Sequence, residues 1–168
     1  MAILPIVLFP DRRLRLPALP VPQVTQGLHD LAADMLDTMY AAPGRGLAGP
    51  QVGVLLRIFV MDVTWRDGTP SPCVCLNPEI IDASDDLATG QEGCLSIPGV
   101  GAVVTRPAEI TLRWTDLSGQ QMQERLTGFA AICAQHELDH LNGRLCIDLM
   151  DEASRMADSP ALSAMGAA

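Results

Sequence analysis

A chain of 168 residues, 48% hydrophobic and 18% charged, can bury one core and is too apolar to be disordered, so a single globular domain over residues 1–168 is expected. Its net charge of −9 speaks against binding to nucleic-acid phosphates or docking on an anionic membrane, and no apolar run reaches membrane-spanning length. Five cysteines with no basic-headed secretory leader point to reduced thiols in a cytoplasm, where cysteine serves packing, ligation or nucleophilic chemistry more often than disulfides.

The apolar opening, with Pro5 and Pro10, reads as an extended arm or a strand. Residues 10–22, with Arg12, Arg13 and Arg15 and then Pro17, Pro20 and Pro22, read as an irregular surface loop. Leu28, Leu31, Met35 and Met39 recur at helical spacing behind Thr25, a candidate N-cap, so a helix is expected from Thr25 to Ala41. Gly44-Arg-Gly-Leu-Ala-Gly-Pro-Gln-Val-Gly53 is a loop where backbone can approach a ligand, or a plain tight turn. It lacks the endings of a phosphate-binding loop, and Gln51 is its one versatile polar side chain. Residues 57–63 form a strong β segment, and Cys73–Pro78 a second that its proline should stop. Cys73 and Cys75 share a face, where packing is the better reading than metal binding. Asp82, Asp85 and Asp86 suggest a solvated turn. Gln91–Gly99 sets Cys94 among glycine and proline, and Val103-Val104, Glu109–Trp114 and Met122–Leu126 follow as strands, the last two a hairpin through Leu117-Ser118-Gly119. A helix from about residue 129 ends near Gly143, and an Ala/Ser-rich tail beyond about residue 158 is expected to be poorly ordered. This order indicates an α+β fold, with antiparallel sheets packed around a central metal-binding helix.

That helix carries Gln135-His-Glu-Leu-Asp-His140. Four residues apart on a helix, His136 and His140 project from one face and can share a metal ion, with Glu137 placed to act as general base on a water there. Phe129, Ile132 and Cys133 continue the face. Two helical histidines can also be plain hydrogen-bonded partners, so the metal reading needs a third ligand. Three cysteines qualify. Cys133 lies one turn before His136, Cys146 completes H-E-x-x-H-x-x-G-x-x-C, and Cys94 stands in a turn suited to presenting a thiolate. Spacing does not separate Cys94 from Cys146.

The segments Gly44–Gln51, Glu92-Gly-Cys-Leu-Ser96 and Gln135–His140 resemble, in order and interval, the three motifs of the peptide deformylases, over roughly residues 4–150. The resemblance implies Cys94, His136 and His140 as ligands of one divalent metal ion, ferrous iron natively, with zinc or nickel able to replace it. It implies removal of the N-formyl group from the N-terminal methionine of nascent polypeptides, releasing formate. Glu137 would be the base, and the Gln51 amide and Leu95 backbone N–H would stabilise the oxyanion. Gly46, Phe129, Ile132 and Cys133 would line a methionine pocket, while backbone at Arg45, Gly46 and Gly93 would pair with extended substrate. Glu92 and Asp139 would brace the ligands and loops. Three positions depart from the family pattern. Gly49 replaces an alanine, which should loosen the loop at Gln51; Arg45 replaces an aliphatic residue; and Gly101 stands where arginine is frequent, removing an anchor for the peptide. The C-terminal segment is short and not basic, so strong ribosome docking is not expected, and a monomer is. The competing readings are a zincin-type peptidase using Cys146 and a non-catalytic paralogue that binds N-terminal peptides.

Overall fold

The computed structural model describes residues 2–166. Among them, seven strands form two antiparallel sheets: one in the order β1 (Gly46–Ala48), β2 (Ile58–Met61), β3 (Cys73–Ala83), β6 (Glu109–Thr115), β7 (Gln121–Thr127), and a separate ribbon of β4 (Leu87–Cys94) and β5 (Ile97–Pro107). Three helices accompany them: α1 (Gln26–Ala41), α2 (Gly128–Leu141) and α3 (Glu152–Ala164).

The continuous apolar run of β2 is explained by burial on both faces. Ile58 and Val60 meet Leu28, Ala32, Met35 and Met39 of α1, while Phe59 faces Ala131, Cys133 and Ala134 of α2. A half-buried strand would alternate polar residues; this one has none to place in water. The opposite side of α2 meets the ribbon, so buried positions surround the helix from Ala131 to Leu141 and include Gln135, His136, Glu137, Asp139 and His140. Polar side chains buried in such number need partners, and these supply the site. Thr25 caps α1, its side chain accepting the Leu28 N–H. Gly143, at φ 72°, turns the chain out of α2 at the αL position that glycine accepts. A third core under the ribbon gathers Cys94, Ile97, Ala102 and Val104 with Leu145, Cys146 and Ile147.

Two expectations are corrected, and two further elements, β4 and α3, were not anticipated. The 10–22 segment is irregular but not superficial: a 3-10 turn at Arg12–Arg15 buries Leu14 completely. β3 does not stop at Pro78, because a register shift between Leu76 and Glu79 takes the proline out of the hydrogen-bonded ladder. β4 gives no apolar alternation from which to read a strand, with Gly90, Gly93 and an exposed Leu87, and it pairs with β5 alone. The tail beyond residue 158 is helical to Ala164, because Asp151 caps α3 through the Ser154 N–H and Ala161, Leu162 and Met165 pack against the third core. Ala167 and Ala168 lie outside the described residues.

The β2–β3 connection begins at Asp62, which is buried and accepts hydrogen bonds from the Tyr40 hydroxyl at 2.8 Å and the N–H groups of Thr64, Trp65 and Ser71 at 3.0–3.1 Å. Burial pushes its carboxyl up, but these donors outweigh that and hold it below the ordinary carboxylate value. The folded pKa being the lower one, the stabilisation is complete above the unfolded value and is lost as pH falls through the folded value. Asp62→Asn is expected to lower the unfolding free energy by about 1–3 kcal/mol at neutral pH, measured by urea titration, with the deficit narrowing in acid as the wild-type carboxylate protonates.

Candidate metal centre and active site

α2 aims its two histidines at the end of β4. His136 Nε2 and His140 Nε2 lie 3.2 Å apart, and Cys94 Sγ lies 3.2 Å from His140 Nε2. One ligand atom from each of the three residues falls within 4.8 Å of the others, and all three residues are buried. Cys146 packs beside Cys94 in the ribbon core but is outside this group of donors. Cys133 points away from it, its thiol reaching the Arg45 carbonyl at 3.5 Å.

The ring orientation of His136 is fixed from behind. Its Nδ1 is 2.9 Å from Glu92 Oε2, which makes Nδ1 the donor and turns the lone pair of Nε2 toward Cys94 and His140. Arg106 holds Glu92 in turn through Nε to Oε1 at 2.6 Å and Nη2 to Oε2 at 3.0 Å, and its Nη1 reaches Asp139 Oδ2 at 2.8 Å. The expected bracing by Glu92 and Asp139 thus runs through Arg106, which sequence reasoning passed over. The signal was available: Val100, Ala102, Val104 and Arg106 occupy the same, inward-facing face of β5. A charged residue at the last of four buried alternate positions marks a buried ion pair.

Burial acts on His136 against the proton, but the Glu92 hydrogen bond and the nearby Glu137 charge prevail and raise its pKa to about 9. His140 is pushed well below its ordinary value by burial first and then by the His136 and Arg106 charges, so it stays neutral and ready to ligate. The Cys94 thiol is pushed well up, first by its interaction with Cys146 and then by burial. A cation at the three donors reverses this, since a coordinating thiol is deprotonated outright. One thiolate and two imidazoles make a borderline-soft set that suits zinc, iron or nickel. Loading must displace a proton from His136 and one from Cys94, and is therefore favoured as pH rises.

Glu137 lies beside this centre. Gly46 makes room for it: a Cβ there would meet Glu137 Oε1 at 2.3 Å and Cys133 Sγ at 2.9 Å. Burial raises the Glu137 carboxyl to about 7, and its Oε2 is buried with no hydrogen-bond partner among the described residues. Gln51, on a 3-10 turn at Gly49–Val52, has its Oε1 engaged by the Ala48 N–H at 2.8 Å. Its Nε2 must therefore face the centre, reaching Ser96 Oγ at 3.2 Å and Cys94 Sγ at 3.6 Å. Ser96 is a second residue missed in the sequence. Gly49 does not loosen this loop as expected: a Cβ would stand 2.7 Å from the Val54 carbonyl, so glycine is there for close packing. At Gly101 the Gln91 side chain covers the position, where a Cβ would meet its Nε2 at 1.9 Å.

A cavity of about 750 Å³ opens over Glu137, His136 and Gln51, and its lining includes Arg45, Gly46, Gly93, Leu95, Ile132 and Cys133. Phe129 also lines it, at the rim and half exposed, with the Arg45 guanidinium 5.3 Å above its ring. Fold and donor set together define a metal-dependent hydrolase.

Comparison with known proteins narrows the class. The polypeptide deformylase family model matches residues 3–156. A peptide deformylase of Nitrobacter hamburgensis is 48% identical over 159 residues, covering 92% of this chain and 91% of its own length. One from Alkalilimnicola ehrlichii is 49% identical over 155 residues, covering 92% and 86%. Among solved structures, a Legionella pneumophila peptide deformylase superposes with a TM-score of 0.90 at 39% identity, covering 98% of this chain and 96% of that one. That of Synechococcus elongatus, in complex with actinonin, gives 0.92 at 39%, covering 99% and 89%. The chain belongs to the peptide deformylase family, enzymes that remove the formyl group from the N-terminus of nascent peptides. No helix of the described residues is long and apolar enough to cross a membrane.

Glu92→Gln keeps an acceptor for His136 but weakens the charge on which Arg106 and His136 converge. Metal affinity is expected to fall about 10–100-fold, read by competition with a chromophoric chelator, with the fold retained by circular dichroism.

Proposed function

We propose that this chain deformylates N-formylmethionyl peptides with Cys94, His136 and His140 as metal ligands and Glu137 as the proton carrier. The observation that carries the reading is the convergence of those three donors beside a buried carboxylate whose Oε2 has no hydrogen-bond partner among the described residues. Ferrous iron is the proposed native ion, with zinc or nickel as substitutes. When bound, the ion supplies the Lewis acidity that makes water nucleophilic near neutral pH.

The chain's own groups do the rest. The formylated methionine enters the cavity with its side chain among Gly46, Phe129, Ile132 and Cys133, and its backbone extended past Arg45–Gly46 and Gly93. Glu137 takes a proton from the attacking water at Oε2, a role suited to a carboxyl near pKa 7. As the carbonyl oxygen gains charge, the Gln51 Nε2 and the Leu95 N–H donate to it; the Ala48 bond that fixes Gln51 means no reorganisation is needed at that moment. The C–N bond breaks, Glu137 delivers its proton to the departing amine, and formate and a free N-terminal methionine leave. The proposed setting is one catalytic domain acting as a cytoplasmic monomer. α3 bears Glu152, Asp158 and a single basic residue, Arg155, and so offers no basic face for ribosomal RNA.

Formate release from formyl-Met-Ala-Ser tests this. Glu137→Ala is expected to lower kcat about 10²–10⁴-fold while its metal content, measured by atomic emission, stays at the wild-type level. Full metallation of the wild type with no formate released contradicts the proposal and leaves a peptide-binding paralogue.

A further inference from the structure

The loop that leaves Asp62 reaches the cavity at Arg66, and its position is set. Besides the hydrogen bonds that loop residues give to Asp62, Trp65 Nε1 donates to the Gly44 carbonyl at 2.8 Å, and its ring stands edge-on to Tyr40 with centroids 5.3 Å apart. Gly44 is itself part of the cavity wall. These contacts fix the next residue, Arg66, at the rim, with its guanidinium 5.3 Å from the Trp65 ring.

Charge at this mouth is one-sided. Of the charged residues on the cavity wall, Glu92, His136 and Glu137 are buried in the floor, and Arg45 and Arg66 stand at the rim. Arg45 is already engaged, by the Val63 carbonyl and the Asp67 carboxylate, and lies over Phe129. Arg66 is exposed, and no ion pair joins it to a carboxylate among the described residues. Residues 88–91 of β4, which also line the cavity, bear no charge. In a molecule of net charge −9, a free guanidinium held at the mouth is the local exception to a field that repels anions.

We propose that Arg66 is a specificity residue, favouring formylated peptides with an aspartate or glutamate side chain at the second or third position. The proposal rests on the deformylase reading above. With the formyl group at the floor, an extended peptide rises about 3.3 Å per residue, so the residues after methionine are those that pass the rim. The planar five-donor guanidinium suits a carboxylate, and stacking on Trp65 limits the side-chain freedom lost on pairing.

The test uses the metallated full-length enzyme and amide-capped peptides, formyl-Met-Asp-Ala and formyl-Met-Ala-Asp, each against its asparagine counterpart. The expected kcat/KM ratio is about two- to fivefold in favour of aspartate at one of the two positions, as an exposed ion pair allows. It should arise in KM and fall toward one at high ionic strength. Arg66→Gln should bring the ratio near one, and Arg66→Glu should invert it. Equal ratios in the wild type and both variants would overturn the proposal while turnover of the asparagine peptides left the deformylase reading standing. A gain confined to uncapped peptides would assign Arg66 to the terminal carboxylate and overturn the side-chain reading. Failure of every peptide with metal bound would overturn both.

Discussion

One buried guanidinium sets the geometry on which the site depends. The three candidate donors come from elements with no common sheet: Cys94 ends β4 in the ribbon, and His136 and His140 belong to the helix between that ribbon and the main sheet. Arg106 spans the gap, binding Glu92 on β4 and Asp139 on α2 while itself standing on β5. Glu92 then passes the constraint to the imidazole of His136. Removing one partner from a buried cluster of this kind strands a charge in the interior, which typically costs about 3–5 kcal/mol. The same network also registers hairpin against helix.

The remainder of the fold serves that junction. β2, covered on both faces, anchors α1 on one side and α2 on the other, so α2 is held by packing. Small residues where α2 faces β1 let the strands approach; Gly46 in particular leaves the space that Glu137 fills. Burial then does chemical work. It keeps His140 neutral and lifts Glu137 into the range where a carboxyl can accept and return a proton near pH 7. The Gln51 amide is turned by a backbone donor before substrate arrives. Each of these is a polar group whose orientation is decided by a second group behind it.

Much of the site was readable in the chain because its signals are local or periodic. His136, Glu137 and His140 sit at helical spacing, and the Thr25 cap, the β2 run and the β6–β7 hairpin follow from adjacent residues. Cys94 could not be separated from Cys146 by spacing, because the choice depends on where a ribbon lies relative to a helix. In the sequence only the resemblance to a family favours Cys94, which is also in the donor group of the structure. β4 escaped notice because its glycines and exposed polar residues carry no alternation, and α3 because its ordering comes from contact with a distant core. The Ser96 hydroxyl enters the site through Gln51, 45 positions away. Arg106 was recoverable, since its place in the alternation of β5 departs from what a buried face admits.

The central claim is that Cys94 closes the ligand set with His136 and His140. It is tested most directly by substituting cobalt(II) into the apoprotein and recording the near-ultraviolet thiolate-to-metal charge-transfer band. The account predicts that the band is present in the wild type, retained in Cys146→Ser, and lost in Cys94→Ser. A band that survives Cys94→Ser and disappears in Cys146→Ser would contradict it.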